Sequence, residues 1–130
     1  MCSGEQLQMK IKSTILKEDD PISKEHLEFI YKELNRPKEL RLLYRGSENN
    51  FKAEPFHQKC GDKANTLTII RTEFGKTIAA FTPYTWHSVP ENQYVNNIDG
   101  GCFILALENR EKLIPHQTNQ LIRHYPAWGP

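Results

Sequence analysis

The sequence predicts an α+β fold, a mainly antiparallel β-sandwich with two short flanking helices. The first observation behind this prediction is an apolar stripe at helical spacing, formed by Leu27, Ile30, Tyr31 and Leu34. The second is a series of short apolar runs after residue 65, separated by turn-forming residues, which is typical of antiparallel strands. With 130 residues, the chain is long enough for one domain with a hydrophobic core.

The first helix is predicted over Ser23 to Leu34. Ser23 is a residue type that accepts hydrogen bonds from backbone N–H groups at the start of a helix. At the other end Arg36 precedes Pro37, and a residue before proline avoids helical geometry. Residues 1–12 are polar with scattered apolar positions, so we expect them to form a flexible N-terminal segment.

A strand is predicted at Leu40 to Tyr44, followed by a second helix at Ala53 to Cys60. This helix is short because Pro55 fits only in a first turn and because Gly61 is a common residue at a C-terminal stop.

The rest of the chain is predicted to be strands and turns. Thr66 to Thr72 and Thr77 to Pro83 form a hairpin in which Gly75 supplies a positive φ angle. The remaining elements are strands at 102–107, 112–115 and 120–125 and a surface loop at 87–101.

Composition bears on the class of partner and on the compartment. Lys and Arg total 17 and Asp and Glu total 16, a net charge of +1, which gives no reason to expect a nucleic-acid partner or an anionic membrane. The longest apolar run, Cys102 to Leu107, is too short for membrane insertion as a helix, and the N-terminus lacks the apolar core of a signal peptide. Cys2, Cys60 and Cys102 are widely spaced and odd in number, which argues against a disulfide framework and favours the cytoplasm.

His57 and Cys60 are one candidate for chemistry, because they lie three residues apart on the second predicted helix. That spacing suits a nucleophile with its base, or two metal ligands. The alternative is packing, since Cys60 shares an apolar side with Phe56 and a buried thiol usually behaves as a small hydrophobic group. The sequence shows no further metal ligands at a suitable spacing, no phosphate-binding glycine loop and no other common catalytic motif, so no metal and no cofactor are predicted.

Arg41 and Arg45 are a second candidate, as a protein contact. In a strand the two side chains would point to the same face, because side chains alternate. They would then face solvent, form an ion pair with Glu48 or Glu54, or meet an acidic protein partner.

Several short motifs occur in a fixed order with fixed gaps: Leu42-Leu43-Tyr44-Arg45, Phe51, Phe56-His57 with Cys60, Thr66-Leu67 with Ile70-Arg71, Gly75-Lys76 and Trp86. This ordered set resembles the TLDc domain, the module shared by oxidation-resistance proteins. The resemblance implies a sandwich fold that continues beyond residue 130, so residues 13–130 are expected to form one C-terminally incomplete TLDc-like domain.

Two functions from different classes are compatible with the sequence. The resemblance implies a non-catalytic binding module with a role in resistance to oxidative stress and, for several members, binding to the peripheral stalk of the vacuolar proton-pumping ATPase. The alternative is an enzyme acting on peroxide or thiol substrates, with Cys60 as nucleophile and His57 as base.

Overall fold

A computed structural model describes residues 22–37, 39–86 and 101–115 of the chain. The described elements are two helices, α1 (Lys24–Glu33) and α2 (Ala53–Cys60), a 3-10 helix (Gly46–Glu48), and four strands, β1 (Thr66–Arg71), β2 (Thr77–Thr82), β3 (Phe103–Ala106) and β4 (Glu111–Leu113). The strands form one sheet in sequence order, and each pairs antiparallel with the next. The α+β class and the antiparallel sheet are therefore confirmed, whereas the second sheet of the sandwich stays a prediction.

Helix α1 begins and ends where the sequence predicts. The Ser23 side chain accepts a hydrogen bond from the backbone N–H of His26 at 3.1 Å, which caps the first turn. At the other end Asn35 and Arg36 adopt φ angles of 57° and 50°, and the Arg36 N–H donates to the Tyr31 carbonyl at 2.8 Å. These left-handed residues stop the helix just before Pro37.

The hairpin of β1 and β2 is also confirmed. Gly75 has a φ of 75° in the connecting turn, where a residue with a side chain would be strained. The N–H of Thr72 donates to the carbonyl of Lys76 at 2.8 Å and closes the ladder at the turn. Ladder pairs then run from Arg71 with Thr77 to Thr66 with Thr82.

The core lies between α1 and one face of the sheet. Ile30 of α1 is fully buried against Ala79, Leu105 and Leu107, each also at 0% exposure. A further link joins α1 to the sheet edge, because Lys112 of β4 lies 3.4 Å from a Glu33 carboxylate oxygen and stacks over a phenylalanine ring of β3. Burial of these apolar groups is the main term that holds the helix on the sheet.

The opposite face of the sheet, which we call the open face, is exposed in part. Its central row runs across all four strands: Thr68, Ala80, Ile104 and Leu113. Ile104 is 43% and Leu113 is 53% exposed, and Ile70 beside them is 46% exposed. A cavity of about 260 Å³ lies over this face, with Trp86 in its wall.

The strand predicted at Leu40 to Tyr44 is wrong. Residues 39–45 have no regular secondary structure and no backbone ladder to any described strand. Exposure does not alternate along them either, since Leu40 is partly buried while Arg41 and Leu42 are both exposed. An apolar run becomes a strand only where a neighbouring strand pairs with its backbone.

Two other predicted strands are confirmed with different bounds. Phe103–Ala106 lies inside the range predicted at 102–107, and Glu111–Leu113 replaces the range predicted at 112–115. The predicted flexible segment 1–12, the strand at 120–125 and nearly all of the loop at 87–101 lie outside the described residues.

Candidate functional site

Both candidate sites adjoin a cluster of three aromatic side chains, Tyr44, Phe56 and Trp86. The Phe56 ring lies edge-on to Tyr44 at 5.6 Å and to Trp86 at 5.4 Å between ring centroids. Such edge-to-face pairs add about 0.5–1.5 kcal/mol beyond the area that they bury. The indole N–H of Trp86 donates to the hydroxyl of Thr66 at 3.1 Å, so the cluster attaches α2 to the first residue of β1.

The same cluster holds the segment that contains the two arginines. The Tyr44 hydroxyl donates to the backbone carbonyl of Lys52 at 3.0 Å, just before α2 begins. Tyr44 therefore joins the segment at 39–45 to α2 through one hydrogen bond and one ring contact.

Cys60 is a packed thiol at the C-terminal end of α2. Its exposure is 5%, and it lies on the same side of the helix as Phe56, as the sequence indicates. Burial raises the pKa of the Cys60 thiol, the charge of Lys59 acts in the opposite direction, and the carboxylate of Asp62 raises the pKa again. A raised pKa keeps the group protonated at neutral pH, whereas a nucleophilic cysteine requires a thiolate.

His57 packs against an aromatic ring on the same helix. Its ring packs edge-on against the preceding Phe56, with centroids 5.2 Å apart. The helix brings the His57 and Cys60 side chains within one turn of each other.

Metal binding at this pair gains no support from the surroundings. Among the residues that the structure describes, no group of three or more His, Cys, Asp or Glu side chains could hold a metal ion. A structural zinc site needs four ligands.

Arg41 and Arg45 differ in their surroundings, because the strand that would have aligned them is not formed. Arg41 is exposed. The Arg45 side chain is only 17% exposed, and its Nε lies 3.9 Å from a carboxylate oxygen of Glu48. The Arg45 carbonyl also accepts a hydrogen bond from the Asn49 side chain at 2.8 Å. Arg45 thus belongs to the turn around the 3-10 helix, where it has the ion pair with Glu48 that the sequence suggests as an alternative.

A polar contact that sequence reasoning missed joins Glu108 to Thr77. Both carboxylate oxygens of Glu108 accept from the Thr77 backbone N–H, at 2.8 and 2.9 Å. This hydrogen bond lowers the pKa of the Glu108 carboxyl. The residues are 31 positions apart, so no local pattern could have predicted the contact.

Comparison with known proteins gives one match. A family profile described as the TLDc domain matches residues 9–125 of the chain. No curated protein and no solved structure matches it. In the described residues no helix combines the length and the apolar character that crossing a membrane requires.

Proposed function

Since this chain belongs to the TLDc domain family, we propose that it is a non-catalytic protein-interaction module. Its proposed partner is the vacuolar proton-pumping ATPase, bound at the peripheral stalk, and its proposed role is resistance to oxidative stress. The observation that supports this most strongly is the TLDc match over residues 9–125, together with what the resemblance implies for the family. Its proposed location is the cytoplasm, because the three cysteines of the sequence are widely spaced and odd in number.

The surroundings of Cys60 support the non-catalytic part of the proposal. A thiol with 5% exposure and a raised pKa is poorly suited to attack a peroxide or a disulfide. Its position on the buried side of α2, at the last residue of the helix, is what a packing residue requires.

Arg41 is the proposed protein contact of the two candidate arginines. It is exposed, and it lies four residues before Arg45, whose own guanidinium is covered and close to Glu48. An exposed guanidinium can bind a carboxylate through two parallel hydrogen bonds, so an acidic surface is the matching partner chemistry. Arg45 acts instead by fixing the turn that follows the segment.

The test is the binding of the 130-residue chain to purified vacuolar ATPase, measured by biolayer interferometry for the unchanged protein, R41E, R45E and K32E. K32E is the matched control, because Lys32 is also exposed but lies on α1. We expect R41E to weaken binding about 5- to 30-fold, the effect of losing 1–2 kcal/mol. K32E should bind as the unchanged chain does. R45E should weaken binding only by unfolding part of the protein, which is measured as a lower unfolding temperature.

Absence of binding by the folded, unchanged chain would contradict the proposed partner. Equal losses for R41E and K32E would contradict the proposed contact while leaving the partner in place. Growth under peroxide stress, compared between cells with and without the chain, tests the proposed role separately.

A further inference from the structure

The two edges of the sheet differ in how well they resist pairing with another strand. β4 is only three residues long, its Lys112 is held by Glu33, and Pro115 follows it closely. Short strands, charged side chains and prolines are the features that prevent edge-to-edge association. β1, the strand Thr66–Arg71, is six residues long, contains no proline or glycine, and has no charge before its last residue. Within the described residues, β1 is therefore an edge that lacks these protective features.

The ladder between β1 and β2 shows which backbone groups of β1 point outward. Because the Thr72 N–H donates to the Lys76 carbonyl, alternate residues back along the strand, Ile70, Thr68 and Thr66, direct their hydrogen-bonding groups at β2. The groups of Leu67, Ile69 and Arg71 then point away from the sheet. No backbone hydrogen bond joins these three to another described residue.

We propose that this edge pairs with the same edge of a second copy of the chain, antiparallel, so that one continuous sheet runs through both copies. The strand is complementary to itself about a two-fold axis at Ile69. Leu67 then lies opposite Arg71 of the second copy, and Ile69 lies opposite its own counterpart. These are the residues with outward-pointing groups, so each pair exchanges two hydrogen bonds.

Side-chain chemistry favours this register. Thr68 of one copy lies opposite Ile70 of the other on the open face, and Ile70 is 46% exposed in the single chain. Pairs of β-branched side chains across two strands stabilise a sheet. The two Arg71 side chains are kept apart, at opposite ends of the paired strands.

Charges beyond the strand ends also permit the pairing. The antiparallel arrangement places the hairpin turn of one copy, with exposed Glu73 and Lys76, near the turn after α2 of the other, with exposed Asp62 and Lys63. Each turn carries one acidic and one basic side chain, so neither end of the paired strands brings only like charges together. The net charge of +1 gives little overall repulsion between two copies.

The first test is amide hydrogen exchange of the 130-residue chain, resolved by residue with NMR, at about 10 µM and about 1 mM. The backbone amides of Thr68 and Ile70 should be protected from exchange at both concentrations, because they form hydrogen bonds with β2. The amides of Leu67, Ile69 and Arg71 should gain protection only at the higher concentration, as the mass by light scattering rises from 15.1 kDa toward twice that value. A single-chain mass at both concentrations would overturn the proposal, and so would a dimer in which those three amides stay unprotected.

The second test uses charge pairs at the proposed register. T68K/I70K and T68E/I70E each place like charges opposite one another, and each should raise the dimer Kd about tenfold or more. Mixing the two variants should restore association as a heterodimer. L113K is the matched control, because Leu113 is exposed on the same face but lies on β4 at the opposite edge.

Circular dichroism establishes that each variant is folded. Association of T68K/I70K as tight as that of the unchanged chain would overturn the register, and loss of association in L113K would overturn the choice of edge. The exchange measurement uses no variant, so it decides the proposal even where a substitution prevents folding.

Discussion

Truncating Phe56 tests whether the aromatic cluster holds α2 on the sheet. Phe56 is 5% exposed and contacts Tyr44 and Trp86 edge-on. Replacing a buried phenylalanine by alanine costs about 3–5 kcal/mol, because apolar burial is lost and a cavity remains. For a chain of this length, that loss corresponds to a fall of roughly 10–18 °C in unfolding temperature.

The same substitution should expose the thiol of Cys60, the other buried residue of α2. Cys60 lies one turn after Phe56 on α2, so loosening the helix opens a path to its sulfur. If alkylation proceeds through opening of the helix, a loss of 3 kcal/mol raises its rate by about 100-fold or more. Rates are measured in a background with Cys2 and Cys102 changed to serine, so that only Cys60 reacts.

Phe74 provides the matched control for Phe56. It is 83% exposed in the turn between β1 and β2, and F74A should change the free energy of unfolding by no more than about 0.5 kcal/mol. F56L is a milder variant that keeps part of the apolar volume, in case F56A is too unstable to purify. Equal destabilisation by F56A and F74A, or an unchanged alkylation rate in F56A, would refute the role assigned to the cluster.

Two further predictions concern ionisable groups. In the folded chain Cys60 should alkylate at least about tenfold more slowly at pH 7 than in denaturant, because burial raises its pKa and lowers the thiolate fraction; a faster rate in the folded chain would contradict the packed thiol. E108Q should lower the unfolding temperature at pH 7. The hydrogen bond from Thr77 lowers the pKa of the Glu108 carboxyl in the folded chain, so the ionised carboxylate stabilises the fold at any pH above the pKa of the unfolded carboxyl. That difference should shrink as the pH falls through the depressed pKa, and a difference that persists in acid would show that the charge is not its source.

Local signals were the reliable part of the sequence. Ser23 and Pro37 mark the two ends of α1, and Gly75 marks the hairpin turn, because each acts through the geometry of neighbouring residues. The packing role of Cys60 follows in the same way from its spacing to Phe56 along α2. The ion pair of Arg45 with Glu48 spans three positions and could be suggested as an alternative for the same reason.

Features that depend on distant parts of the chain were not predictable from local pattern. Leu40 to Tyr44 has the composition of a strand, but no described strand pairs with it, and composition does not determine pairing. The hydrogen bond from Thr77 to Glu108 spans 31 residues and forms only once β2 and β3 are adjacent. The difference in exposure between Arg41 and Arg45 likewise depends on the turn, which covers Arg45 and leaves Arg41 exposed.

Our proposal is that this TLDc domain acts by binding a protein and not by thiol chemistry. Its most direct test is one binding measurement on purified vacuolar ATPase, in which C60S and R41E are compared with the unchanged chain. We expect C60S, once shown to be folded, to bind with unchanged affinity and R41E to bind about 5- to 30-fold more weakly. Unchanged binding by R41E together with loss of binding in folded C60S would contradict it.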